Sequence, residues 1–98
     1  MATVSVLLTL RLFGVQSLKE KRAIVRSVVE RLRTRLRLSA AEVGMQDRLQ
    51  AAQIGFAAVS GELGVARQVA DEARRFVDDE LIGRGEVVAT EVDELTLG

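Results

Sequence analysis

The spacing of the apolar residues alternates between strand-like and helix-like periods, and this constrains the fold more than any other feature of the chain. Residues 3–13 alternate between two sets of side chains, which is typical of a strand with one buried face. From Leu18 to about residues 35–37 the period is helical. The remaining predicted elements are strands at 38–43 and 51–59, a helix that ends near Leu81, and a strand at 87–95. The predicted order is therefore strand, helix, strand, strand, helix, strand.

This order predicts an α+β domain with the ferredoxin-like, or split βαβ, fold. Two strand–helix–strand units with right-handed crossovers interleave into a four-stranded antiparallel sheet, with both helices on one face. The first strand is then central and the last lies at an edge, where Glu91, Asp93 and Glu94 would oppose pairing with another chain. A chain of 98 residues fits one such domain, which we expect to span residues 1–98.

Two serines are predicted to cap the helices. Ser17 and Glu20 have capping-box spacing, in which the Ser17 hydroxyl accepts from the Glu20 amide and the Glu20 carboxylate accepts from the Ser17 amide. Ser60 is the predicted N-cap of the second helix, with Glu62 in its first turn. Gly83 and Gly85 are expected to end that helix.

The composition excludes several kinds of chemistry. The chain has no Cys, which excludes disulfides, thiolate zinc sites and cysteine nucleophiles, and no His, the commonest metal ligand and general base. The spacing of its glycines matches neither nucleotide-binding fingerprint. We therefore expect a protein that is not an enzyme and that has no metal site, no cofactor and no small-molecule ligand.

The sequence also carries no sign of membrane insertion or secretion. Its longest apolar stretches are far shorter than the ~20 residues of a membrane-spanning helix. The N-terminal residues lack the basic region, hydrophobic segment and cleavage site of a signal peptide. We therefore expect a cytoplasmic protein with no membrane partner.

Several linked segments resemble a known bacterial family. These segments are Ser17-Leu18-Lys19-Glu20-Lys21-Arg22, Arg31-Leu32-Arg33, Ala41-Glu42-Val43-Gly44, Gln46-Asp47, Gln50-Ala51 and Gly55-Phe56-Ala57-Ala58-Val59-Ser60. Their order and spacing, over about residues 3–95, resemble the YlxP-like family of small proteins of unknown function. The resemblance implies a ferredoxin-like fold and a genomic setting beside transcription-elongation, translation-initiation and ribosome-maturation factors, but no activity, substrate or cofactor. Leu49 stands where relatives usually carry Trp.

The charges are separated along the chain, although the formal net charge is zero. Residues 1–49 carry 10 Lys or Arg and 4 Asp or Glu, a net +6, whereas residues 50–98 carry 4 and 10, a net −6. At about 100° per residue, five cations of the first helix fall within about 60° of one another, along one flank of its apolar face. This basic stripe consists of Lys19, Arg22, Arg26, Arg33 and Arg37.

Two interpretations of the basic stripe are open. In one, the stripe binds an anion, because guanidinium groups bind phosphate bidentately and several together give salt-dependent affinity for a nucleic-acid backbone. In the other it is a solvated helix face on which Glu30 pairs with Arg26 and Arg33. With the genomic setting that the resemblance implies, the predicted function is a non-enzymatic accessory factor whose partner is structured RNA or a ribosomal particle. The strands offer no aromatic platform, so RNA would be bound through its backbone and shape.

The face of the sheet without helices favours an alternative function. Leu7, Ala57 and Val59 are predicted to lie on it among small polar residues. A face of this kind is suited to burial in a symmetric homodimer. The alternative is therefore a homo-oligomeric protein-interaction module with no nucleic-acid role.

Two acidic groups could suggest chemistry and are interpreted otherwise. Glu42 and Asp47 flank the connection between the second and third strands, and paired carboxylates perform acid–base chemistry when one is desolvated. No nucleophile or electrophile is placed beside them, so Asp47 is interpreted as a turn residue. The run Asp78-Asp79-Glu80 does not predict a metal site, because consecutive helical residues point in different directions.

Overall fold

The computed structural model describes all 98 residues and has the predicted order of elements. They are β1 (Ala2–Leu12), α1 (Leu18–Arg35), β2 (Ser39–Gly44), β3 (Ala51–Ser60), α2 (Leu63–Leu81) and β4 (Gly85–Thr96). The strands form one sheet in the order β2-β3-β1-β4, and every neighbouring pair is antiparallel. The predicted ferredoxin-like α+β fold is therefore confirmed, with β1 inside the sheet and β4 at an edge.

The alternation along β1 determines which face of the sheet the helices cover. The even-numbered residues from Val4 to Leu12 are all at most 3% exposed. The register pairs them with even-numbered residues of β3 such as Ile54 and Phe56, so both strands bury the same side. On that side α2 packs on β1 and β3, and α1 packs mainly on β2. One core of 22 buried hydrophobic residues results, in which each large side chain contributes about 1.5–3 kcal/mol.

The helix caps differ from the prediction in two bonds. The Ser17 hydroxyl accepts from the Glu20 amide at 3.1 Å as expected, but the Glu20 carboxylate accepts from the Gln16 amide at 3.1 Å, one residue further back. The N-cap of α2 is Glu62, which makes no side-chain cap bond. Ser60 was wrongly predicted as that cap because it still belongs to β3, and its hydroxyl accepts from the Glu62 amide at 3.2 Å. Neither helix is both long and apolar enough to cross a membrane.

β4 is a long and exposed edge strand. It pairs with β1 over its whole length, with one register shift between Thr9 and Leu10. Val92 lies opposite the buried Val6 but is 50% exposed, because α2 covers this edge only in part. The acidic residues of β4 are therefore presented at an open edge of the sheet.

Candidate nucleic-acid interface

α1 carries most of the predicted basic stripe on the flank that adjoins β2. The apolar side of the helix is buried and holds it on the sheet. Four cations of the stripe lie on the exposed part of this helix, and they are Lys19, Arg22, Arg26 and Arg33. Arg37 is placed differently, because α1 ends at Arg35 and Arg37 has a φ of +54°. Helical spacing therefore does not extend to Arg37, which lies just beyond the helix.

A groove of about 370 Å³ runs between this flank of α1 and β2. Three arginines, two glutamates and two valines line it, and these are Arg22, Arg26, Arg33, Glu30, Glu42, Val25 and Val29. Three guanidinium groups against two carboxylates leave the groove with a net positive charge. The structure thus brings three of the five predicted cations to one surface feature.

Arg33 is the one member of the basic stripe that the protein itself binds. Its Nε donates to the Ala40 carbonyl oxygen at 2.8 Å, and its Nη1 donates to the Glu30 carboxylate at 2.9 Å. No carboxylate lies within 4.0 Å of the other four cations, which are Lys19, Arg22, Arg26 and Arg37. Arg33 therefore attaches α1 to β2, while the others are available to an external anion.

Unpaired cations are concentrated between residues 19 and 37. Of the 14 basic residues, seven form an ion pair with a carboxylate and seven do not. Two of the unpaired seven, Arg48 and Arg75, lie elsewhere in the chain. The other five are Lys19, Arg22, Arg26, Arg35 and Arg37. The excess of positive charge in the first half of the sequence is thus left largely unneutralised around α1.

Lys21 is fully buried, although its charge suggests a surface position. Its Nζ donates to the Met45 carbonyl oxygen and lies 3.8 Å from the Glu42 carboxylate. The sequence holds a signal for this burial, because Lys21 lies four residues before Val25 and seven before Val28, within the apolar stripe of the helix. Lys21 therefore fixes α1 to the turn that follows β2.

Of the acidic residues considered above, Glu42 and Glu80 lie in ion pairs and Asp47 lies in a turn. Glu42 faces Lys21 at the side of the groove, whereas Asp47 is exposed in the turn between β2 and β3. In the run at the end of α2, Glu80 accepts from Arg31 of α1 at 2.5 Å, and its carboxylate also lies 3.7 Å from Arg84. Glu80 therefore links the two helices.

The helix-free side of the sheet, here termed the open face, holds the predicted oligomer interface. Leu7 lies opposite Gly55 in the register of β1 and β3, and Ala57 and Val59 follow on the same side of β3. Val59 is 63% exposed, whereas Leu7 and Ala57 are partly buried among their strand neighbours. The structure thus brings these three residues to one face.

Leu49, in the turn before β3, is 39% exposed.

The ion pair between Arg67 and Glu94 shifts the pKa values of both residues, and it lies away from the basic stripe. Arg67 of α2 donates to the Glu94 carboxylate of β4 at 2.6 and 2.7 Å. These hydrogen bonds, together with the positive charge, lower the pKa of Glu94 and raise that of Arg67. The pair therefore ties the exposed β4 edge to α2.

Comparison with known sequences places the chain among proteins of unknown function. A family described as "Protein of unknown function (DUF503)" matches residues 3–93. The uncharacterized protein YlxP of Bacillus subtilis is 31% identical over 67 residues, which cover 68% of this chain and 73% of YlxP. The predicted YlxP-like resemblance is therefore confirmed.

Solved structures with little sequence identity share the fold. A protein provisionally described as a chlorite dismutase has a TM-score of 0.60 at 8% identity, and the match covers 96% of this chain but 44% of that protein. SnoaB, a cofactor-independent oxygenase from Streptomyces nogalater, has a TM-score of 0.57 at 10% identity, with 100% and 95% covered. At such identities the likeness concerns the fold alone.

Proposed function

The chain belongs to the DUF503 family of proteins of unknown function, and from this premise we propose that it is a non-enzymatic accessory factor that contacts structured RNA or a ribosomal particle through α1. One observation carries the proposal. Five cations between residues 19 and 37 have no carboxylate partner, whereas four of the six basic residues outside this segment have one. The ribosomal part of the proposal rests on the genomic setting that the family resemblance implies.

Arg22 and Arg26 form the centre of the proposed contact surface. They are one helical turn apart, so their Cβ atoms are separated by about 5–6 Å. Both are exposed, unpaired and beside the groove, so their guanidinium groups can each bind a phosphate bidentately. Because Arg33 already binds Glu30 and the backbone of β2, it supports the surface instead of adding a free charge.

The chemistry of this surface favours recognition of the RNA backbone over recognition of bases. All three aromatic residues of the chain are Phe. Phe56 is buried, and the 45%-exposed Phe13 lies under the Arg11 guanidinium, 5.3 Å from it, after β1. No aromatic residue lines the groove beside α1. The proposed binding therefore depends on charge and shape, with weak sequence preference.

A titration of a fluorescently labelled RNA hairpin, monitored by anisotropy at several salt concentrations, tests the proposal. The wild-type protein is expected to bind more weakly as salt rises. Each phosphate contact adds about 0.7–0.9 to the slope of log affinity against log salt. In the variant Arg22→Glu/Arg26→Glu we therefore expect the slope to fall by about 1.5 and affinity to fall by roughly tenfold or more.

The matched control is the variant Arg48→Glu/Arg75→Glu. It changes the net charge by the same amount, and both of its arginines are exposed and unpaired but lie outside α1. This control is expected to retain most of the affinity and slope. Equal losses in the two double variants, or no salt-dependent binding by the wild type, would overturn the proposal.

A further inference from the structure

The open face is uncharged across its two central strands. Its residues there are Thr3, Ser5, Leu7, Thr9, Gln53, Gly55, Ala57 and Val59. Some of its polar groups are already paired within the face, since Gln53 Nε2 donates to Thr9 Oγ1 at 3.2 Å. The cation at the end of β1, Arg11, pairs with Glu86 of β4 at 3.2 Å. The two central strands can therefore be removed from water without burying an unpaired charge, provided that Glu91 and Asp93 of the neighbouring β4 stay at the solvated rim.

The open face is also large enough for a stable interface. The four strands lie about 4.8 Å apart and average about ten residues, so the whole face, including the acidic β4 edge, covers roughly 600 Å². Two copies would bury roughly 1,200 Å² in total, which reaches the range of specific, stable complexes. Apolar side chains that are each more than half exposed lie around its centre, and they are Val43, Val59 and Leu95.

We propose that the open face is the interface of a homodimer whose two-fold axis runs parallel to the strands. In this arrangement β1 of one copy lies over β3 of the other, and β4 lies over the partner's β2. The occupant of the face is thus a second copy of this chain, and the proposal does not depend on RNA binding.

The charges of β4 select between the two ways in which the open faces can meet. An axis perpendicular to the strands would place β4 over β4, with Glu91 and Asp93 of both copies facing each other. An axis parallel to the strands instead places β4 over β2, whose open-face residues are the neutral Ala41 and Val43. The parallel axis therefore avoids placing the acidic residues of the two copies against each other.

The side-chain sizes at the centre of the open face fit the same axis. Leu7 pairs with Gly55 in the middle of β1 and β3. A shallow groove of about 400 Å³ is lined there by both residues and, at its β4 side, by Glu91 and Asp93. With the parallel axis, Leu7 of each copy faces Gly55 of the other, beside the Val43 side chain that contacts this glycine position. A perpendicular axis would instead bring two Leu7 side chains together. Large residues facing small ones allow the two layers to interdigitate.

Sedimentation equilibrium tests the dimer. The wild-type mass is expected to approach twice the 10.7 kDa of one chain and to fall on dilution. Leu7→Asp and Val59→Asp are both expected to give monomers. Because Val59 is 63% exposed, we expect its replacement to leave the fold intact, which circular dichroism checks. Val65→Asp, at a 41%-exposed position on α2, is the control that stays dimeric. A wild-type monomer at all concentrations would overturn the proposal.

Cross-linking tests the direction of the axis, because the chain has no cysteine of its own. An Ala41→Cys protein mixed with a Glu91→Cys protein is expected to give a heterodimer with a short bismaleimide, since both positions pair with the Leu7–Gly55 level of the sheet. Glu91→Cys alone is expected to cross-link poorly to itself. Efficient self-linking of Glu91→Cys, without the mixed product, would overturn the parallel axis.

Discussion

Replacing Lys21 with methionine tests how a buried ammonium group stabilises this fold. Methionine retains most of the length of lysine, so the change removes the charge without opening a large cavity. It also removes the donor to the Met45 carbonyl oxygen and the cation nearest to Glu42. The Glu42 Oε2 atom is buried and has no hydrogen-bond partner, so Lys21 is the group that compensates its charge.

The structure sets the size of the expected effect. Removing one partner of a buried ion pair costs about 3–5 kcal/mol. The Glu42 side chain is 23% exposed, so water recovers part of this cost, and we expect a loss of about 2–3 kcal/mol in the free energy of unfolding. In a domain of this size that corresponds to a fall in Tm of about 10–20 °C.

Urea unfolding followed by circular dichroism measures this loss. Lys19→Met is the matched control, because Lys19 is exposed on the same helix and has no ion pair, so its replacement is expected to change stability by at most about 0.5 kcal/mol. The double variant Lys21→Met/Glu42→Leu should recover much of the loss, since it removes both charges. Equal stability of Lys21→Met and Lys19→Met would refute the assigned role of Lys21.

Two further predictions concern β4. Gly85→Ala would place a Cβ atom 2.5 Å from the Arg11 carbonyl oxygen, so we expect it to lower the free energy of unfolding by about 1–3 kcal/mol. Gly61→Ala, whose new methyl group meets nothing within 4 Å, is the control expected to stay close to wild type. Because Arg67 lowers the pKa of Glu94, the carboxylate stabilises the folded state above the ordinary glutamate pKa, and this contribution is lost as pH falls through the lowered value. Urea midpoints of wild type and Glu94→Gln should therefore differ near pH 7 and converge once the pH falls below the lowered pKa of Glu94, whereas a constant difference would contradict the assignment.

Most of the fold could be predicted because the period of apolar residues reports burial directly. The alternation in β1 and the helical stripe from Leu18 gave element bounds within about two residues of the structure. The caps were less predictable, because they depend on where the preceding strand ends. Ser60 has a residue type that favours capping, but its pairing with Ala2 extends β3 through it and delays the start of α2.

The sequence predicts where the candidate site lies, but not which of its cations are already bound by groups of the protein itself. Helical geometry alone places Arg22 and Arg26 beside the buried face of α1. Whether a cation is free depends on side chains from other elements, and the backbone contact of Arg33 with Ala40 follows only from the packing of α1 on β2. Lys21 shows the converse case, in which the position within the apolar stripe was a better guide than the charge of the residue.

The two proposals draw on the charges of the molecule in different ways, and salt separates them. RNA binding depends on unpaired surface cations, whose attraction is screened when the Debye length falls from about 8 Å at physiological ionic strength to about 3 Å in 1 M salt. The dimer buries the uncharged central strands of the open face, so repulsion between the acidic β4 edges sets its orientation but charge pairing supplies little of its stability. High salt should therefore release RNA while the sedimentation mass stays near that of two chains. Dissociation of both complexes over the same salt range would mean that charge pairing, and not the open face, holds the two copies together.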